Sequence, residues 1–366
     1  MCTRFNPREA ITAMSLMLDE IRQQPAALDH ALSTEVQRFR DLQKHFEQHR
    51  PRFIVLAARG TSDNAAQFGR YLIEITTAIP VSLAAPSVFT LYGGQLDFRE
   101  VLFVGISQSG ESTDVNLAVE EARRCGATTM GITNVIGSPL AQSADHVILL
   151  HAGDETSVAA TKTWTSQLLM MYLLAWSLGA PLSLDDIARI PTWAQAALDC
   201  EPDIAERARA YTFAEKAIVV GRGFNYCNAL EFALKLMEAC YIVTGSFSSA
   251  DFLHGPVAIT ERGIPAFAFA PPGPTWPGMC AVVEKLRSAQ ARPLLITDER
   301  NREAAGQGDN VILLPDPMFG GSRLPADLFT PIPYALPAQL LAAHLAEIKG
   351  LNPDRPRMLS KVTQTL

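Results

Sequence analysis

One apolar run constrains this chain more than any other feature. Phe53-Ile-Val-Leu-Ala-Ala58 has no polar member and is bounded by Pro51 and Gly60. A strand with one wet face alternates apolar and polar residues, so an unbroken run reads as a strand buried on both faces of a parallel sheet. The pattern returns at Ala217-Ile-Val-Val-Gly221, which also ends in glycines, Gly221 and Gly223, and opens a helix expected over 227–242.

Around these two runs, strands and helices alternate. Strands are expected at 81–85, 101–106, 128–133 and 146–150, and helices at 62–76, 114–124, 139–144 and 157–178. A Gly/Pro linker at 179–184 and a helical stretch at 185–210 lead to the second run. Strands at 266–270, 293–297 and 311–314 follow, with helices at 279–291 and 336–349. Alternation of this kind builds βαβ units, so the fold class is α/β with two tandem doubly wound parallel sheets. Residues 8–49 read as two antiparallel helices separated at Pro25. The expected division is N-terminal helices 1–50, a first domain 51–182, a second domain 183–350 and a tail 351–366.

Composition excludes several functions. The 366 residues carry 31 Lys+Arg against 38 Asp+Glu, a formal charge of −7, which is no footprint for nucleic acid or an anionic membrane. Any anionic ligand must be held by a local site. Cys2, Cys125, Cys200, Cys227, Cys240 and Cys280 contain no C-x-x-C pair and read as reduced thiols. No signal peptide is visible, and the longest apolar run, Leu168–Trp176, falls short of the roughly 20 residues a bilayer requires. A cytoplasmic protein with no metal site is expected.

Four segments carry chemistry. Ser107-Gln108-Ser109-Gly110-Glu111-Ser112 follows a buried strand and opens a helix. Hydroxyls and backbone N–H groups at a helix N-terminus receive an anion, and without Lys or Arg the loop suits a sugar monophosphate. Gly60-Thr61-Ser62 follows the first strand in the same way, although Ser62 also reads as an ordinary helix N-cap. Lys235 and Glu238 share a helix face; the i,i+3 spacing serves either a surface ion pair or a proton-shuttling carboxylate with its lysine. His254, in the turn Phe252-Leu-His-Gly-Pro256, is of a residue type suited to the acid–base work of opening a sugar ring, and turn histidines also bond to backbone. Lys361, in Arg357-Met-Leu-Ser-Lys361, matters only if the tail folds back over the pocket.

Taken in order, these motifs, with Glu155-Thr-Ser-Val-Ala-Ala-Thr-Lys162 and Ala229-Leu-Glu-Phe-Ala-Leu-Lys-Leu-Met-Glu238 between them, resemble the sugar isomerase (SIS) domain family. The likeness runs from about residue 35 to the C-terminus, and is closest to the double-SIS isomerase half of glutamine–fructose-6-phosphate aminotransferases. It implies a flavodoxin-like three-layer fold and a tail over the active site. It also implies phosphate and sugar contacts from Gly60, Thr61, Ser62, Ser107, Gln108, Ser109 and Ser112, with a backbone contact at Val158. Glu238 becomes the isomerising acid/base with Lys235 beside it, and Lys361 meets the sugar carbonyl. His254 opens the ring, and in this family it comes from the neighbouring subunit of a homodimer.

The departures shape the expected activity. Met1-Cys2 imitates the start of a glutaminase, but only 52 residues precede the first strand at Phe53, so no glutaminase is expected and Cys2 reads as coincidental. Arg59 and Leu253 stand where the synthases generally place cysteine and lysine. Phe247-Ser-Ser-Ala-Asp-Phe-Leu-His254 is more similar to stand-alone SIS-type glucosamine-6-phosphate deaminases. The resemblance therefore implies conversion of glucosamine 6-phosphate to fructose 6-phosphate and ammonia. The alternatives are a related phosphosugar isomerase or deglycase acting on another substrate, such as galactosamine 6-phosphate or a sugar–amino acid 6-phosphate, and a non-catalytic phosphosugar sensor. No redox cofactor is implied, since no step is a redox step and the glycine turns lack G-x-G-x-x-G.

Overall fold

The computed structural model describes residues 15–308, 310–317 and 324–361. Cys2 and the start of the expected first helix lie outside them. Helices α1 (Leu16–Arg22) and α2 (Gln24–Gln48) are separated by Gln23 alone, whose backbone stays in the right-handed helical region. Pro25 sits in the first turn of α2, where a missing N–H costs nothing, so the chain bends here and does not reverse. The expectation of an antiparallel pair is corrected accordingly.

The first sheet contains β1 (Phe53–Ala57), β2 (Val81–Leu83), β3 (Val101–Ile106), β4 (Thr128–Thr133) and β5 (His146–Leu149), in the order β2-β1-β3-β4-β5. Its helices are α3 (Thr61–Thr77), α4 (Ser87–Thr90), α5 (Thr113–Arg124), α6 (Pro139–Ser143) and α7 (Lys162–Ser177). Three short helices bridge to the second sheet: α8 (Leu184–Ile187), α9 (Ile190–Leu198) and α10 (Glu201–Ala208). Pro191 and Pro202 lie in the first turns of α9 and α10, and so punctuate a stretch expected to be continuous.

The second sheet repeats the first. Strands β6 (Lys216–Gly221), β7 (Val243–Ser248), β8 (Pro265–Phe269), β9 (Arg292–Asp298) and β10 (Val311–Leu314) run in the order β10-β9-β8-β6-β7. The helices are α11 (Tyr226–Cys240), α12 (Ser249–Leu253), α13 (Trp276–Ser288), α14 (Arg302–Ala305) and α15 (Pro331–Ile348). Every strand pair in both sheets is parallel. Two tandem doubly wound sheets with N-terminal helices are therefore shown.

The unbroken apolar runs are explained by two cores per sheet. Ile54 and Leu56 face one large core, while Val55 and Ala57 face a second one against α5, as the period-two geometry of a strand demands. The large core also takes Val219 and Phe267 from the second sheet, so one continuous apolar layer lies between the two. Helix α7 occupies that layer, packed on α2, α3 and α15, and is buried almost all round. No helix of the described residues is long and apolar enough to cross a membrane.

Candidate active site

Strand order reverses between β1 and β3, so the loops that follow these strands diverge and leave a crevice at their carboxyl ends. A cavity of about 420 Å³ opens there. It is built by 59–62 after β1, by 107–112 and Asp114 after β3, by Val158, Ala160, Thr163 and Gln167, by Glu238, and by 359–361 of the tail.

The 107–112 loop is held by hydrogen bonds at both ends. Ser107 N–H donates to Ile132 O (3.0 Å), Asn134 N–H to Gln108 O (3.0 Å) and Asn116 Nδ2 to Gly110 O (3.0 Å). Gly110 has φ +69°, and a Cβ there would run into the Ser138 side chain, so glycine is required. The serine side chains join in, since Ser107 Oγ accepts from Gly110 N–H (3.1 Å) and Ser109 Oγ from Glu111 N–H (3.2 Å), and Gln108, Ser109 and Ser112 line the cavity wall. The loop ends at the N-terminus of α5, where helix N–H groups point outward.

Gly60, with φ +55°, is the N-cap of α3, so Ser62 lies inside the first turn and is not a capping residue. Its hydroxyl accepts from Gln167 Nε2 (2.9 Å), while Gln167 Oε1 is buried without a hydrogen-bond partner in the cavity wall. A buried unpaired carbonyl oxygen is a costly feature.

The opposite wall belongs to α11. Glu231, Lys235 and Glu238 recur at one-turn spacing along a helix whose other buried positions are apolar except Asn228. Lys235 Nζ lies 2.6 Å from Glu238 Oε2 and 3.3 Å from Glu231 Oε1, and also donates to Thr61 Oγ1 (3.4 Å). Glu231 further accepts from Thr61 Oγ1 (3.2 Å) and Asn64 Nδ2 (2.8 Å). Lys235 is fully buried, which rules out a surface ion pair, and it stands behind Glu238, outside the cavity wall. Burial pulls its ammonium down, but the two carboxylates outweigh that and hold it above the ordinary lysine range. Burial, joined by the Glu238 charge, pushes Glu231 above the usual carboxylate range against the pull of Lys235. Glu231 and Glu155 are site residues that no motif in the sequence singles out. Three charges at i, i+4 and i+7 on an apolar helix are the signal that marks the first.

Lys361 reaches the cavity because the tail is strapped down. Val158 N–H donates to Asp354 O (3.1 Å), the Asp354 carboxylate accepts from Leu16 and Met17 N–H (3.0 and 2.8 Å), and Arg357 lies 4.2 Å above the Tyr241 ring just past α11. Val158 lines the cavity, and its N–H is already spent on this strap. Lys361 Nζ donates to Glu155 Oε2 (2.7 Å) and Ser157 O (2.7 Å). Burial raises Glu155, but Lys361 and the Thr161 and Thr163 donors outweigh it and hold the carboxyl below its usual range. Glu155 also fixes the irregular segment that delays α7 to Lys162, five residues after the expected start.

His254 does not line the cavity. It is exposed at the end of α12, with Leu253 exposed beside it. No group of three or more His, Cys, Asp or Glu side chains among the described residues could hold a metal ion.

A doubly wound α/β protein with a hydroxyl-lined loop at a helix N-terminus and a lysine-backed carboxylate across one crevice is the class these features define. Residues 49–177 and 211–348 match the SIS domain model, and the chain belongs to the SIS domain family. It is 36% identical over 345 residues, 94% of its length, to an isomerizing glutamine–fructose-6-phosphate aminotransferase of Methanothermobacter thermautotrophicus. It spans only 56% of that relative's length. Among solved structures, the C-terminal domain of glucosamine-fructose-6-phosphate aminotransferase from Francisella tularensis matches with TM-score 0.83 and 26% identity, covering 96% of this chain and 100% of that one. A glucosamine-6-phosphate deaminase from Thermotoga maritima matches with TM-score 0.77 over 96% and 100%; at 22% identity this likeness shows the fold alone.

Proposed function

We propose that the chain is an aldose–ketose isomerase of hexose 6-phosphates. One observation carries this reading: the Glu238 carboxylate and the 107–112 anion loop line the same cavity. The phosphoryl group docks on the loop and the α5 N-terminus. The open-chain sugar then extends toward Glu238, which moves a proton between C1 and C2. Lys235 holds that carboxylate in place, and Lys361, near the carbonyl oxygen, steadies negative charge developing there. His254 opens the pyranose ring in the pocket of a second copy of the chain, consistent with its exposure and its distance from its own cavity. The isomerizing relatives support this broader reading better than the deaminase does.

The finer reading concerns an amino sugar. With glucosamine 6-phosphate, a proton moved from C2 to C1 leaves an imine at C2. Water adds to the imine and ammonia departs, giving fructose 6-phosphate. The decisive measurement is proton exchange in D2O with glucose 6-phosphate, fructose 6-phosphate and glucosamine 6-phosphate, with ammonia assayed in parallel. Deuterium at C1 or C2 supports the isomerase, and ammonia appearing with fructose 6-phosphate supports deamination. Tight binding of all three sugars without exchange would replace both readings with a phosphosugar sensor.

A further inference from the structure

We infer that Arg59 is a phosphoryl-recognition residue that makes the anion loop receptive by neutralising Asp114; this rests on the phosphosugar reading above. The loop 107–112 has no cation of its own, and the cavity wall beside it contains a carboxylate. Asp114 is in the first turn of α5, is 1% exposed, and accepts from Ser112 Oγ (3.1 Å). An ionised group there opposes a phosphoryl dianion and cancels much of the positive potential of the helix N-terminus.

Arg59 reverses this. It follows β1, on the other side of the crevice, and its Nε lies 2.6 Å from Asp114 Oδ2. The contact is an ion pair; the guanidinium N–H groups donate no hydrogen bond to a described residue, and the side chain is about half exposed where it lines the cavity. A guanidinium presents five donors in a planar fork, so it can hold a carboxylate through one edge and phosphoryl oxygens through another. A lysine ammonium, as a single point charge, serves two anions less well.

The test measures binding of fructose 6-phosphate and of inorganic phosphate by calorimetry. The proteins compared are wild type, Arg59→Met, Arg59→Lys and Arg59→Met/Asp114→Asn. Loss of a charge-assisted bond predicts roughly 10- to 100-fold weaker binding of both probes by Arg59→Met. The double variant should recover several-fold of that loss, because it also removes the repelling carboxylate; a residue that only props up the fold would show no such recovery. Arg59→Lys keeps the pair with Asp114 and should still bind several-fold more weakly than wild type, which keeps the test valid if Arg59→Met does not fold. Wild-type affinity in Arg59→Lys or in Arg59→Met overturns the inference, as does an Arg59→Met defect that Asp114→Asn leaves unchanged. If wild type itself binds neither probe, the phosphosugar reading of the whole site fails and this assignment fails with it, an outcome distinct from the others.

Discussion

Lys235 Nζ stands 2.6 Å from Glu238 Oε2 while the lysine itself is completely buried, so the carboxylate at the cavity wall is held from behind by a cation that solvent does not reach. Water cannot screen this pair as it screens a surface one. The geometry leaves the outer edge of Glu238 facing the cavity.

Glu238→Gln retains the size and polarity of that edge and removes the base. Proton transfer by a positioned group contributes about 10²–10⁴-fold, so kcat for isomerisation should fall by that factor. The dissociation constant for fructose 6-phosphate should change less than threefold, because the phosphate loop is untouched. Equal losses in binding and turnover would move Glu238 from catalysis to binding.

Lys235→Met strands Glu231 in a fully buried position with only neutral donors around it. Removing one partner of a buried ion pair costs about 3–5 kcal/mol, and urea denaturation should show a loss of that order. Lys235→Met/Glu231→Gln should regain much of it, since no unpaired charge remains. A stability unchanged by Lys235→Met would mean that Glu231 is neutral in the native protein.

Subunit exchange tests the placement of His254. Inactive His254→Ala and inactive Glu238→Gln chains, mixed under conditions of verified exchange, should regain up to about one quarter of wild-type activity if histidine and carboxylate come from different copies, since random pairing makes half of the dimers mixed and each mixed dimer has one intact site. No recovery would mean that each pocket is completed within one chain.

Asp327 provides a pH test away from the site. Burial pushes its carboxyl up to about 6 from the ordinary 3.8, although Thr275 donates to Oδ2 (3.1 Å), and Oδ1 is buried without a partner. The folded chain therefore holds this proton more tightly than the unfolded one. The contribution to stability is complete below about pH 4 and is lost as pH rises through 6. Asp327→Asn should stabilise the protein at pH 8 by up to about 3 kcal/mol, two units at 1.4 kcal/mol each. At pH 4 it should be neutral. Thermal melts of both proteins from pH 4 to 8 measure this, and a constant difference across the range would assign the effect to packing.

The sequence displayed the parts of this molecule that rest on local pattern. Strand β3 falls where its apolar run places it, because all six residues are buried between two helix layers; β4 and β10 also keep their expected bounds, β10 as an edge strand with Leu313 exposed. Strand β7 was missed because Val-Thr-Gly-Ser-Phe-Ser pairs with β6 alone at the sheet edge, and an edge strand needs no apolar run. The serine loop and Glu238 were legible as motifs. What was not legible depends on distant partners: that Lys235 is buried, that Glu155 receives Lys361, and that Arg59 meets Asp114. Each of those facts is created by packing between elements far apart in the chain.

That separation has a kinetic consequence. Thr61 meets Glu231 across 170 residues, and Lys361 meets Glu155 across 206. Loop closure over such spans is entropically costly and comes late, whereas each sheet is assembled from neighbouring βαβ units. A refolding chain should therefore regain its circular dichroism before it regains turnover, and the lag between the two would time the docking of one half of the molecule onto the other.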